Sequence, residues 1–309
     1  MKESKNDPKS LVMNIVSMLI FGTIGVLRRH IPLSSGFIAF VRGLLGGLTI
    51  FVFMKLKGIR GRENLSRHQV LWLSLTGAVM GINWILLFEA FNHTTVAVAT
   101  LCYYMQPTIV ILLSPILFKE RLSAKKLLCA LAAIVGMILV TGIIGGSPQN
   151  GDLTGVLLGL GAAVFYSAVI IMNKNEKMIG VNAYQKTMIQ LLAAGAVMIP
   201  YLIVTGTGIG SGVLTPKVII LLLTAGIVHT GIAYLLYFGS MNGISVQSIA
   251  ILSYIDPVSA LFFSALFLNE PLSPAGIIGA VMIIGSAVIA EYEPGSFKTS
   301  VRDHDNNPS

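Results

Sequence analysis

Long apolar runs broken by short polar stretches dominate the chain. A helix that crosses a bilayer needs about 20 mostly apolar residues. Runs of that kind lie at roughly Leu11–Leu27, Gly36–Leu56, Val70–Phe91, Thr95–Phe118, Ala124–Ile144, Leu153–Met172, Ala183–Val204, Val218–Met241, Ser245–Leu268 and Pro274–Tyr292. Helix breakers mark the joints: Ile31-Pro32, Gly145-Gly146-Ser147-Pro148, the Gly206–Gly212 run and Glu270-Pro271. The pattern predicts a polar tail over 1–10, a five-span unit over 11–144, a second over 153–292 and a polar tail over 293–309.

The two units are copies. Aligned 150 positions apart without a gap, they match at Gly81/Gly231, Phe88/Phe238, Asn92/Asn242, Tyr104/Tyr254, Pro107/Pro257, Glu120/Glu270, Leu122/Leu272 and Ser123/Ser273. Five spans per copy place the copies in opposite orientations, the arrangement of inverted-repeat transporters. The predicted fold is therefore all-α and integral to a membrane, ten transmembrane helices as two inverted five-helix repeats.

Charge sets the orientation. Lys and Arg on the side of the termini number three before residue 10, five from 55 to 67, four from 119 to 126, three from 174 to 186 and two after 297. The other side holds Arg28, Arg29 and Lys217, and Arg42 lies inside a span. Positive loops stay on the cytoplasmic side, so both termini are expected there, in a plasma (inner) membrane protein. The repeat agrees: the loop Lys119–Lys126 is basic, whereas its copy Asn269–Gly276 is not.

Composition narrows the class. The 309 residues are 54% hydrophobic and 11% charged, against about 25% charged in a soluble domain. The formal net charge of +8 resides in the loop clusters, so nucleic acid is not an expected partner. Cys102 and Cys129 both sit in apolar runs, which excludes a disulfide framework or a zinc site. The polar stretch before the first run argues against a cleavable signal peptide. No glycine-rich turn has the strand-to-helix setting that cradles phosphates, and no length remains for an ATPase domain. No cofactor or metal is expected, and any transport draws on a gradient or an exchange.

An apolar helix, a near-central Pro and a short Glu-x-Leu-Ser loop occur twice, as Pro107…Glu120-Arg121-Leu122-Ser123 and Pro257…Glu270-Pro271-Leu272-Ser273. With Phe40-Val41-Arg42 in the second span, this pattern resembles the EamA type of the drug/metabolite transporter superfamily, from about Val12 to Tyr292. The resemblance implies a central cavity between two five-helix halves and alternating access by rocking them. It leaves the substrate open among amino acids, amines, drugs and other metabolites.

Asp256 is the leading candidate for the chemistry. It lies about 16 Å along the ninth span at 1.5 Å per residue, near the middle of the bilayer. An ionised carboxylate there costs several kcal/mol unless paired or hydrated, so it faces a cavity, carries a proton or satisfies a broken turn. Pro257 removes a backbone hydrogen bond beside it, as Pro107 does in the first copy, where Gln106 takes the place of the acid. His229 falls at a similar depth, where an imidazole exchanges protons near neutral pH. It is either a relay partner of Asp256 or a satisfied core histidine.

Glu89, near the outer rim, and Arg42, about 9 Å below it, form either an external gate or a structural ion pair with an interfacial acid, and Glu89 is also a candidate cation-binding residue. Asn83, Trp84, Tyr103, Tyr104, Tyr166, Tyr234, Tyr237 and Tyr254 gather around the same depth. Such rings hold an ammonium group by cation–π attraction, or else they are interfacial anchors and packing.

The expected function is secondary active transport of a small amphiphilic metabolite, outward and in exchange for protons. Uptake of a choline-like cation is the alternative within transport. An integral-membrane enzyme on a lipid-linked substrate would need catalytic groups clustered in loops that here are short. The expected partners are the small-molecule substrate, protons and the lipid bilayer, with the protein a monomer or a weak homodimer.

Overall fold

The structure is a computed structural model that describes residues 7–61, 65–117, 123–141, 153–173, 181–206, 213–244, 246–270 and 272–291. Glu120, Ser245, Pro271 and Tyr292, which figure in the expected loops and span ends, lie outside them. All regular structure among the described residues is helical. The helices are α1 Pro8–Gly22, α2 Ile24–Arg29, α3 Ser35–Leu56, α4 Arg67–His93, α5 Val96–Tyr103, α6 Gln106–Leu117, α7 Ala124–Thr141, α8 Leu153–Asn173, α9 Ala183–Thr205, α10 Pro216–Ser240, α11 Val246–Ser253, α12 Ile255–Leu268 and α13 Pro274–Glu291. Among the described residues, nine helical stretches are long and apolar enough to cross a membrane, and Pro274–Ala290 makes a shorter tenth.

Polar residues at the joints start the helices. Ser34 accepts from the backbone N–H of Phe37, Thr95 from Val98 and Thr215 from Val218. Ser66 and Gln69 form a reciprocal capping box at the head of α4, satisfying N–H groups that would otherwise lack partners. At the chain's start Asp7 caps α1, and hydrogen bonds from Ser10 hold its carboxyl below the usual carboxylate range.

Three of the ten spans are broken in the middle. The fourth divides at Tyr104-Met105 and the ninth at Tyr254, three residues before Pro107 and Pro257 respectively. A proline has no N–H for the carbonyl four residues back, and its ring crowds that carbonyl. The helix therefore ends ahead of the proline and restarts with it in the first turn. The first span divides at Thr23 without a proline, where the Thr23 hydroxyl bonds back to the Ile20 carbonyl at 2.8 Å. In the eighth span, Thr224–Ile232 winds as a π-helix, a local widening often found at functional positions.

Spans from the two sequence copies interleave: α3 and α4 lie on α9, α7 on α13, α8 on α4 and α5, and α1 on α10 and α12. Small residues allow this. A Cβ on Gly43 would meet the Gly195 nitrogen at 2.5 Å and the Leu191 carbonyl oxygen at 2.6 Å, so α3 and α9 touch backbone to backbone. Close backbone approach of this kind is how helices associate where lipid is as apolar as their side chains. The main core gathers Trp84, Phe88, Phe91, Ile38, Leu191 and Met198 from α3, α4 and α9. A second cluster holds Leu101, Cys102, Ala133 and Ile283. Large apolar side chains such as Leu71, Ile116, Leu128, Ile220 and Val281 stay exposed on the outside, where a bilayer would cover them.

Candidate functional site

The two proline-broken spans meet where both are unwound. Beside that point lies a cavity of about 190 Å³ lined by residues of α1, α2, α3, α4, α5, α8, α10, α11 and α12. Of the residues expected to bind or couple, Trp84, Tyr103, Tyr104, Tyr166, Tyr234, Tyr237 and Asp256 line it, and so does Arg42. The walls are largely aromatic. Tyr103 stacks on Tyr166 with centroids 5.0 Å apart and meets Tyr104 edge-on at 5.8 Å. Tyr234 meets Phe21 edge-on at 5.3 Å.

Asp256 sits in the first turn of α12, which the break at Tyr254 places in the wall of the cavity. Its Oδ2 accepts from the Tyr104 hydroxyl at 2.6 Å. A charge-assisted bond of this length is of the stronger kind, and it ties the unwound point of the fourth span to that of the ninth. Oδ1 has no hydrogen-bond partner among the described residues.

Arg42 supplies the opposite charge. Its side chain is buried, with the residue 6% exposed, and its Nε donates to the Thr230 hydroxyl at 3.0 Å. Thr230 in turn donates to the Ala225 carbonyl five residues back, so the π-helical turn presents its hydroxyl to Arg42. The guanidinium lies 4.4 Å from the Trp84 ring centroid and 5.0 Å from that of Phe88. The indole of Trp84, expected to hold an ammonium group, thus already faces a guanidinium. The two Nη groups have no protein hydrogen bond among the described residues, and Arg42 and Asp256 form no ion pair. One cavity therefore holds a guanidinium and a carboxyl group that are not paired with each other.

The other expected residues lie elsewhere. His229 does not pair with Asp256: its Nε2 is 2.8 Å from the Thr23 hydroxyl and its Nδ1 3.3 Å from the Thr224 carbonyl. It sits at the break in the first span. Glu89 does not meet Arg42 either. It accepts from the Ser35 hydroxyl and, at 2.7 Å, from Asn92 Nδ2, while Ser35 also accepts from Arg28 Nη2. The guanidinium that Glu89 serves is thus Arg28, because α3 turns Arg42 towards α10. Asn83 is buried and donates to the Ala162 carbonyl at 2.6 Å, fastening α4 to α8. Gln106 opens α6 and its carbonyl accepts from Ser167. Tyr254, repeat-related to Tyr104, is buried outside the cavity wall.

Sequence reasoning passed over Thr100, Ser253, Phe21 and Leu87 as lining residues. It also passed over Arg29 and Glu270, which form an ion pair at 2.9 Å. The signals there were a glutamate present in both copies and a basic pair on the side that is otherwise poor in charge.

A model of the EamA-like transporter family matches residues 8–142 and again residues 153–291. The chain is 27% identical over 288 residues to the uncharacterized transporter YxxF of Bacillus subtilis (strain 168), covering 93% of this chain and 90% of that one. It is 26% identical over 279 residues to an uncharacterized transporter of Archaeoglobus fulgidus, covering 90% and 95%. Protein PecM of Dickeya dadantii (strain 3937) is 27% identical over 236 residues, 74% of this chain and 76% of its own. A solved crystal structure superposes with a TM-score of 0.62 over 91% of this chain and 96% of that one at 18% identity, a likeness of fold. Matched along almost its whole length, and built of apolar helices around a small polar cavity, this membrane-spanning chain belongs to the EamA-like transporter family.

Proposed function

We propose that this protein is a proton-coupled exporter of small amphiphilic metabolites that works by alternating access in the plasma (inner) membrane. The observation that carries this reading is the Asp256 carboxyl, held by Tyr104 across two unwound spans and open to an aromatic cavity. An acid placed within a span is a functional group by default. Unwound helices at the repeat interface are the usual place for substrate and coupling-ion sites. In the cycle, either a proton or the cationic end of the substrate occupies the Asp256 carboxylate, and the exchange of one for the other couples their movements. Arg42 receives an acceptor or anionic end of the same substrate, and the tyrosine rings cover its apolar body.

The halves on either side of this cavity are inverted copies in this proposal, with both termini in the cytoplasm. The repeat alignment and the bias of Lys and Arg support that arrangement. The test is a flux screen in proteoliposomes with amino acids, amines and quaternary ammonium compounds, with and without a pH gradient. The reading expects at least one amphiphilic probe to move faster than through protein-free liposomes, and faster still with the gradient. Flux of no probe, or flux indifferent to the gradient, contradicts it.

A further inference from the structure

The Glu-x-Leu-Ser motif of the second copy has no part in the cavity, yet its glutamate joins three helix ends. Glu270 follows α12. Its Oε1 accepts from Arg29 Nη2 at 2.9 Å, and its Oε2 accepts from the Val96 backbone N–H at 2.9 Å and from the Ser264 hydroxyl at 2.8 Å. Arg29 Nη2 also donates to the Thr94 carbonyl at 2.8 Å. The Val96 N–H is one of the free donors at the head of α5, where the helix dipole favours a negative charge. One carboxylate thus fastens the end of the first span, the head of the fourth and the tail of the ninth. All three ends lie on the face opposite the termini.

The same three elements line the cavity. Gly22 and Gly25 of the first span line it. A Cβ on Gly25 would strike the Val96 side chain, and one on Gly22 would strike Ser259 and the Asp256 carbonyl. Between these glycines the span breaks at Thr23, so α2 is a short arm hinged on the cavity and pinned at its far end by Arg29. On this face α5 packs on α12, whereas α6 packs on α8 and α7. The ion pair is partly accessible, with side-chain exposures of 30% for Arg29 and 17% for Glu270. A solvent-reachable bond can release without leaving a charge stranded in the interior.

The geometry points to Arg29 and Glu270 as the latch of the gate on the face away from the termini, closed in this structure, with α2 as the moving arm. The inference rests on the alternating-access reading, and its test needs no substrate, so the two fail separately. Leu87→Cys places a reporter in the cavity wall, and the native Cys102 and Cys129 are buried. Labelling by a membrane-impermeant maleimide is compared in intact cells and in inverted vesicles. Glu270→Gln and Arg29→Gln are each expected to raise the rate from the face away from the termini about tenfold, equivalent to ~1.4 kcal/mol, and to lower it from the other. Arg29→Lys, which keeps the charge, is expected to stay close to the parent. An unchanged rate, a rise of equal size from both faces, or no difference between Arg29→Lys and Arg29→Gln overturns the latch.

Discussion

The Tyr104 hydroxyl donates to Asp256 across 152 positions of sequence, at 2.6 Å, and so joins the two points at which proline-broken spans unwind. A hydrogen bond to a charged group contributes about 1.5–3 kcal/mol, and this one steadies the carboxylate while the cavity is empty. Tyr104→Phe keeps the ring and removes only that bond. Flux driven by a pH gradient is expected to fall about tenfold and the melting temperature by a few degrees, measured in proteoliposomes and in detergent respectively.

If Arg42 and Asp256 divide the substrate between them as proposed, their variants should sort probes by charge. Arg42→Gln is expected to weaken a zwitterion such as leucine by at least about tenfold and to leave isoamylamine, which lacks the carboxylate, unaffected. Arg42→Lys is not a mild change, since an ammonium reproduces neither the fork of donors nor the flat stacking surface of a guanidinium. Quenching of Trp84 fluorescence by each probe reads the affinity, with Trp72→Phe removing the other tryptophan.

His229 contacts Thr23 at the break in the first span and does not pair with Asp256. His229→Gln, which can still reach that hydroxyl, is expected to slow turnover by less than about threefold and to leave the response to a pH gradient intact. Flux measured at several gradients checks this, and loss of the response would return His229 to the coupling machinery.

The contact of α3 with α9 leaves no space at Gly43, where backbone atoms of Gly195 and Leu191 would have to move. Gly43→Ala is expected to cost about 1–3 kcal/mol by overpacking and to lower the melting temperature by several degrees. Gly285 has open space around it, and Gly285→Ala is expected to be neutral or slightly stabilising through helix propensity.

The spans were readable because bilayer thickness sets a length and lipid demands apolar side chains, signals that need no tertiary knowledge. Pro107 and Pro257 announced two of the broken spans, and the breaks fall just ahead of the rings, where a carbonyl loses its donor. The break at Thr23 carried no such mark, since a threonine bonding back to its own helix looks like any other in sequence. Asp256 was singled out because a carboxyl within a span is costly, and Tyr104 and the tyrosines of α8 and α10 because rings at that depth can hold a cation. Their neighbours were harder to name. Which charge faces which depends on helix rotation, and the π-helical turn around Thr230 and His229 shifts that rotation for both. Arg42 therefore meets Thr230 instead of Glu89, and His229 meets Thr23 instead of Asp256.

The central claim is that one carboxyl in the cavity carries the exchange between proton and substrate. The most direct measurement is the internal pH of proteoliposomes, read by a trapped dye while a transported probe flows, for the parent protein and for Asp256→Asn. The account predicts that the probe drives proton movement through the parent, and that Asp256→Asn moves no protons and exchanges cationic probes more slowly. Equal proton movement through Asp256→Asn would contradict it.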